Sequence, residues 1–156
     1  MNPDILPGVD PDICADPFAP GRPDAGILPK PGAMAQFYRA DGDVLLYAAL
    51  TRVGAVTAHA AVGLVRSGPG RCPGGVAGVL PMVVRPMPVP RLGDRAAGLR
   101  FETRVPGGRI VFGRLVAFAC RDVAAVLCTV GTSDVNSAET TAIVRAAARK
   151  LTAALA

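Results

Sequence analysis

Residues 110–130 have the sequence IVFGRLVAFACRDVAAVLCTV, in which two apolar runs of strand length flank the polar pair Arg121-Asp122. Each run is apolar at successive positions, which is typical of central strands that are covered on both faces. A two-residue turn at Arg121-Asp122 would fold the runs into an antiparallel hairpin. The segment therefore predicts the centre of an antiparallel sheet.

A capped helix is predicted directly after this hairpin. Asn136 stands at the N-cap position and Glu139 follows three residues later, the capping-box spacing in which each side chain accepts a hydrogen bond from a free backbone N–H. Apolar residues at helical spacing predict the buried stripe. They are Ile143, Ala147, Leu151 and Leu155.

The first regular elements are predicted upstream, after residue 32. Strands over 34–39 and 44–52 flank an Asp41-Gly42 pair, which is a strong hairpin signal. Residues 55–66 have helical spacing, and the sequence SGPG at 67–70 is expected to end this helix sharply.

Two further strands complete the predicted sheet. Residues 79–84 suggest a short strand that Pro81 confines to an edge or an entry position. Residues 98–105 alternate, with Arg100, Glu102 and Arg104 facing outward, so one face of this strand sees water. The chain is thus predicted to be α+β, a central antiparallel sheet of five to six strands with two helices in the order ββαββββα, forming one domain over 32–156.

Residues 1–31 contain eight prolines and five aspartates. Proline at this density blocks both helices and central strands, so an extended, Pro-rich N-terminal arm is predicted.

The charge pattern has two interpretations. The net charge is +5, and seven arginines lie between residues 91 and 121. One interpretation is a basic face for an anion, and the other is an ordinary solvated strand face. Aromatic residues make up only 4% of the chain, which disfavours the stacking platforms of single-strand nucleic-acid binders. No apolar run approaches the roughly 18 to 20 residues of a membrane-spanning helix.

Catalytic and metal-binding patterns are absent from the sequence. His59 is the only histidine, the carboxylates fit turns and helix starts, and the cysteines form no C-x-x-C pair. We therefore predict no enzymatic activity, no cofactor and no metal site.

The four cysteines leave two alternatives open. If Arg121-Asp122 is a two-residue turn, Cys120 lies opposite Val123 and Cys128 opposite Leu115, which puts the two sulfurs on opposite faces of the sheet. A bridge between Cys14 and Cys72 is then the expected disulfide in an oxidising compartment. The alternative is that all four cysteines are small hydrophobic residues.

Two motifs resemble a known class of domain. The sequence PRLGD at 90–94, followed by the alternating strand, and VAFACRDVAAV at 116–126 are similar to exported sensor-type domains of actinobacterial lipoproteins and receptor kinases. These include the extracellular domain of mycobacterial serine/threonine kinase H and PsbP-like lipoproteins. The resemblance covers about residues 33–156. It implies a non-enzymatic cell-envelope module with a cleft beside the sheet, exported by a signal or anchor not contained in this chain.

The leading functional prediction is an exported domain that binds an anionic envelope ligand or a protein partner through a groove on the basic strand face. The predicted ligand-binding residues are Arg100, Arg104 and Arg114. Nucleic acid is not expected, and a membrane is reached only through an anchor outside this chain. The alternative is a structural interaction module, monomeric or homodimeric, that docks or self-associates through a sheet edge or the Pro-rich arm.

Overall fold

A computed structural model of the chain describes residues 32–72 and 82–156. The elements in chain order are β1 (Ala33–Tyr38), β2 (Val44–Arg52), α1 (Ala55–Arg71), β3 (Met82–Met87), β4 (Arg95–Arg104), β5 (Ile110–Cys120), β6 (Val123–Gly131) and α2 (Ser137–Leu155). These strands form one antiparallel sheet in the order β1-β2-β6-β5-β4-β3. The predicted α+β class and element order are confirmed. The Pro-rich arm and residues 79–81 lie outside the described residues.

The central hairpin has the predicted register. Cys120 pairs with Val123 and Leu115 with Cys128, so Arg121-Asp122 is a two-residue turn between β5 and β6. Arg121 has a φ of 55°, a left-handed conformation that costs energy in residues other than glycine. Two tertiary contacts hold it: its backbone N–H donates to the Asp94 carboxylate, and its guanidinium donates to the carbonyl of Leu155.

The two helices cover opposite faces of the central strands. One face packs against α2 and includes Val116, Phe118 and Ala125, each 1% exposed or less. The other face packs against α1 and consists mainly of alanines, which allow the helix to lie close to the sheet. This two-sided burial explains why both strands are apolar at successive positions.

Helix α1 is longer than predicted. It runs through the SGPG sequence to Arg71, with Pro69 inside it, so the predicted end at residue 66 is wrong. The last turns are held against β4: Arg66 donates to the Ala96 carbonyl over 3.0 Å, and a side chain at Gly68 would meet Leu99 at 3.5 Å. Tertiary packing here overrides the low helix propensity of glycine and proline.

Helix α2 begins as predicted but uses its acidic residue differently. The Asn136 side chain accepts the Glu139 backbone N–H at 2.8 Å, which confirms the N-cap. The Glu139 carboxylate, instead of turning back to Asn136, contacts the Arg39 guanidinium at 3.2 Å. Of the predicted stripe, Leu151 is buried, and Ile143, Ala147 and Leu155 are partly buried against the same core. The buried residues of the helix are Thr140, Val144, Ala148 and Leu151.

Neither α1 nor α2 is long and apolar enough to cross a membrane, as judged over residues 32–72 and 82–156.

Candidate functional site

Three arginines lie side by side across strands β3, β4 and β5. The register pairs Arg85 directly with Arg100, and Arg100 directly with Arg114. Directly opposite residues point to the same face of a sheet, with Cβ atoms about 4.5–5.5 Å apart. All three side chains therefore lie on the face that carries α2, and we call them the arginine row. Such like-charge pairs destabilise a sheet unless something neutralises them.

Within the arginine row, Arg114 is neutralised by the protein itself. Its side chain is 8% exposed, and two of its nitrogens each donate to an oxygen of Asp134 over 3.0 Å. The third nitrogen lies 3.4 Å from Ser137 Oγ and 3.4 Å from Met87 Sδ. The guanidinium thus ties the connection between β6 and α2 to β5, and each of its three nitrogens already has a partner. The structure places this predicted ligand-binding residue on the expected face but beneath the surface.

Arg85 and Arg100 are in the opposite situation. Both side chains are exposed, and neither has a hydrogen bond or ion pair with another residue of 32–72 or 82–156. On the same face, Glu102 and Arg104 follow Arg100 along β4 and are also exposed. Three arginines and one glutamate leave this part of the face with an excess of positive charge.

A groove lies toward the C-terminal end of β4, and its lining among the described residues includes none of the three arginines of the row. It has a volume of about 320 Å³, and its lining includes Val83, Glu102, Arg104 and Ile110. Val83 is 49% exposed and Ile110 is 39% exposed, so part of the wall is apolar. Arg104 is steadied by a 3.1 Å hydrogen bond to the Gly108 carbonyl. The groove therefore offers apolar surface beside cationic groups.

A second basic hollow lies at the other end of β4. It has a volume of about 460 Å³ and is lined by residues 89–96 together with Arg66. Gly93 has a φ of 53°, and a Cβ there would come within 2.2 Å of the Ala119 carbonyl oxygen. The Leu92-Gly93-Asp94 sequence thus has a packing role, because glycine lets the loop lie against the end of β5.

The described residues do not assemble a metal-binding cluster. No group of three or more His, Cys, Asp or Glu that could hold a metal occurs within 32–72 and 82–156. His59 is half-buried on α1.

The cysteines follow the predicted geometry as far as it is described. Cys120 and Cys128 are free thiols on opposite faces of the sheet. Burial raises the pKa of Cys128 to about 11, so this thiol stays protonated at neutral pH and is a poor nucleophile. Cys72 lies just after α1, but Cys14 is outside the described residues, so the Cys14–Cys72 bridge stays a prediction.

Sequence reasoning found two members of the open basic face and missed one. The alternation along β4 identified Arg100 and Arg104 correctly as outward-facing. Arg85 was missed because the predicted strand ended at residue 84, whereas β3 continues through Pro86 to Met87. The available signal was the spacing of Val83, Arg85 and Met87, which are two residues apart and therefore share one face of a strand.

Comparisons with known proteins add no relative. No protein-family model matches the chain, and no curated protein is significantly similar to it. The resemblance to exported sensor domains therefore stays a prediction.

Proposed function

We propose that this protein is a non-enzymatic, exported ligand-binding domain of the cell envelope that binds an anionic group between Arg85 and Arg100, with Arg104 four residues further along β4 on the same face. One observation carries the proposal: two exposed guanidinium side chains face each other across adjacent strands, with no acidic partner among the described residues.

The two facing guanidinium charges repel each other. At a separation of about 4 Å two unit charges interact with roughly 1 kcal/mol in water and with more near a protein surface. An anion placed between them turns this repulsion into two attractions. Guanidinium groups bind phosphate and carboxylate oxygens in a bidentate manner, so these are the anions that the pair fits best.

The groove lined by Arg104 narrows the class of ligand. Val83 and Ile110 offer apolar surface next to Arg104, and a free inorganic anion would leave that surface unused. A phosphate or carboxylate carried on a larger, partly apolar molecule would use both parts. An anionic lipid, which has apolar chains next to a charged head group, is an envelope ligand of this kind.

The test measures binding of pyrophosphate and of phosphatidylglycerol vesicles by the full chain. The double variant Arg85→Ala/Arg100→Ala removes the open pair, and Arg145→Ala/Arg149→Ala removes the same charge from the exposed side of α2. Because charge-assisted hydrogen bonds contribute about 1.5–3 kcal/mol each, we expect the first variant to lose at least tenfold in affinity for one of the probes. The control should stay within about twofold.

Stability separates this loss from unfolding. Removing two facing like charges relieves repulsion, so the melting temperature of the double variant should not fall below that of the wild type. Equal affinities of the double variant, the control and the wild type for both probes would refute the proposed site.

Export is tested separately, through the thiols. Cys120 and Cys128 are free, so titration of denatured, unreduced protein purified from its natural compartment should find two thiols if Cys14 and Cys72 are bridged. Four thiols would argue for a reducing compartment and against export.

A further inference from the structure

The edge strand β1 exposes an unusual amount of apolar surface. All six of its residues are exposed, including Met34 at 59%, Phe37 at 56% and Tyr38 at 68%. Its sequence, AMAQFY, contains no charged residue and no proline. Natural proteins protect edge strands with such residues because an open edge pairs with other strands. The residues of β1 itself therefore supply none of this protection.

The direction of the backbone groups on β1 follows from its pairing with β2. The Arg39 N–H donates to the Val44 carbonyl over 2.9 Å at the end of this ladder. Hydrogen-bonded positions alternate along an antiparallel strand, so the odd-numbered residues of β1 direct their N–H and C=O groups toward β2. Met34, Gln36 and Tyr38 direct theirs away from the sheet.

We propose that β1 pairs with β1 of a second copy of this chain, antiparallel, about a two-fold axis that passes beside Gln36. In this register Gln36 faces Gln36 of the second copy, and Met34 faces Tyr38 in both directions. The outward N–H and C=O groups of these three residues in both copies are then all paired, in six hydrogen bonds. The proposal does not depend on the arginine row.

The side chains fit the same register. A two-fold axis perpendicular to the sheet keeps each face continuous, so Met34 lies beside Tyr38 of the second copy, a favourable contact of sulfur with an aromatic ring. On the other face, the large side chain of Phe37 lies opposite the small side chain of Ala35. Tyr47 already fixes Met34 on its face, with the hydroxyl 3.0 Å from the sulfur.

A second copy is favoured as the occupant because β1 is complementary to itself. The strand is uncharged, so it has no charge with which to select an acidic or basic peptide, and copies of it do not repel each other across the axis. One strand edge falls below the 1,200 Å² or so that stable interfaces bury, so we expect a dimer with a dissociation constant in the micromolar range. The two-fold pairing uses up the edge, and therefore the assembly closes at two copies.

The first experiment uses light scattering and sedimentation of the full chain over a wide concentration range, with two proline variants. Gln36→Pro removes an outward N–H and should abolish the dimer while leaving the melting temperature close to that of the wild type. Ala35→Pro removes an inward N–H and should lower the melting temperature, because it breaks the ladder with β2. A wild type that stays monomeric at high micromolar concentration, or that forms a series of larger oligomers, overturns the proposal.

The second experiment tests the register by crosslinking. Gln36→Cys places two new thiols about 5.5 Å apart between Cα atoms across the axis. Met34→Cys places its two thiols four residues out of register, about 13 Å apart along the strand. A bismaleimide shorter than this offset should give covalent dimers of Gln36→Cys and few of Met34→Cys. Cys120 and Cys128 are present in both variants, so crosslinking through them gives the same background. Equal crosslinking of the two variants, or none in either, overturns the two-fold pairing at Gln36.

Discussion

The ion pair between Arg114 and Asp134 should respond very differently to the loss of its two members. Asp134→Ala leaves a guanidinium that is 8% exposed without its carboxylate, whereas Arg114→Met replaces the guanidinium with an apolar chain. In the second case the surviving carboxylate is 47% exposed and can be hydrated. We therefore expect Asp134→Ala to be more destabilising than Arg114→Met.

The magnitude follows from burial. Removing one partner of a buried pair costs about 3–5 kcal/mol. Because Asp134 is half exposed and already screened by water, the cost of Asp134→Ala should be nearer to about 2 kcal/mol. Arg114→Met should cost less than about 1 kcal/mol, since replacing a buried charge by a hydrophobic side chain of similar volume is often nearly neutral.

Thermal or urea denaturation measures the difference. For a chain of this length about 1 kcal/mol corresponds to roughly 2–4 °C in melting temperature, so Asp134→Ala should melt about 4–8 °C below the wild type. The double variant should resemble Arg114→Met alone. The matched control is Arg52→Ala, which removes an exposed ion pair of the same 3.0 Å length with Asp122 and should change stability by less than about 1 kcal/mol. Equal destabilisation by Arg114→Met and Asp134→Ala would refute the reasoning.

Arg114→Met also tests whether Arg114 belongs to the proposed ligand site. Because the Arg114 guanidinium is already engaged by Asp134, Arg114→Met should bind pyrophosphate and vesicles as the wild type does. A tenfold loss of affinity would show that Arg114 does contribute to ligand binding.

Three further outcomes are expected. Gly113→Ala should cost about 1–3 kcal/mol, because its Cβ would lie 1.9 Å from the Phe101 ring. Chemical denaturation should show that the double variant Gly113→Ala/Phe101→Leu recovers part of this loss. An unchanged free energy of unfolding for Gly113→Ala would contradict the contact. Arg121→Gly should be about 1 kcal/mol more stable than Arg121→Ala, since both lose the bond to Leu155 but only glycine relieves the left-handed backbone; equal melting temperatures would count against strain at this turn. Burial raises the pKa of Cys128 from 9.0 to about 11, so the free energy of unfolding should fall by roughly 1–3 kcal/mol as pH rises between these values. Cys128→Val should remove that fall, and identical pH profiles of variant and wild type would contradict it.

Local patterns predicted the elements that depend on neighbouring residues. The Arg121-Asp122 pair gave the central hairpin and its register, which places Cys120 and Cys128 on opposite faces. The alternation along β4 gave its exposed face. In these cases strand period and turn length fix the geometry, so the sequence contains the required information.

Features that depend on contacts distant in the chain were not predictable in the same way. Helix α1 continues past Gly68 and Pro69 because β4 supports its last turns. The Glu139 carboxylate is drawn from its own helix end to Arg39, which is 100 residues away in the chain. The facing of Arg85 and Arg100 depends on strand register alone. In each case the deciding partner is chosen by the fold.

The arginine row shows why an anion is the expected partner of this face. Two successive like-charge pairs cross three adjacent strands, and the protein neutralises one end of the row with Asp134 while leaving Arg85 and Arg100 open. A ligand that binds only the folded state stabilises it by RT ln(1 + [L]/Kd), about 2.7 kcal/mol at a hundredfold excess over Kd. A bound anion should therefore raise the melting temperature of the wild type and leave that of Arg85→Ala/Arg100→Ala unchanged. A salt that only screens charges would raise the melting temperature of the wild type by no more than the relief of this repulsion. A much larger rise with pyrophosphate at equal ionic strength therefore distinguishes binding from screening.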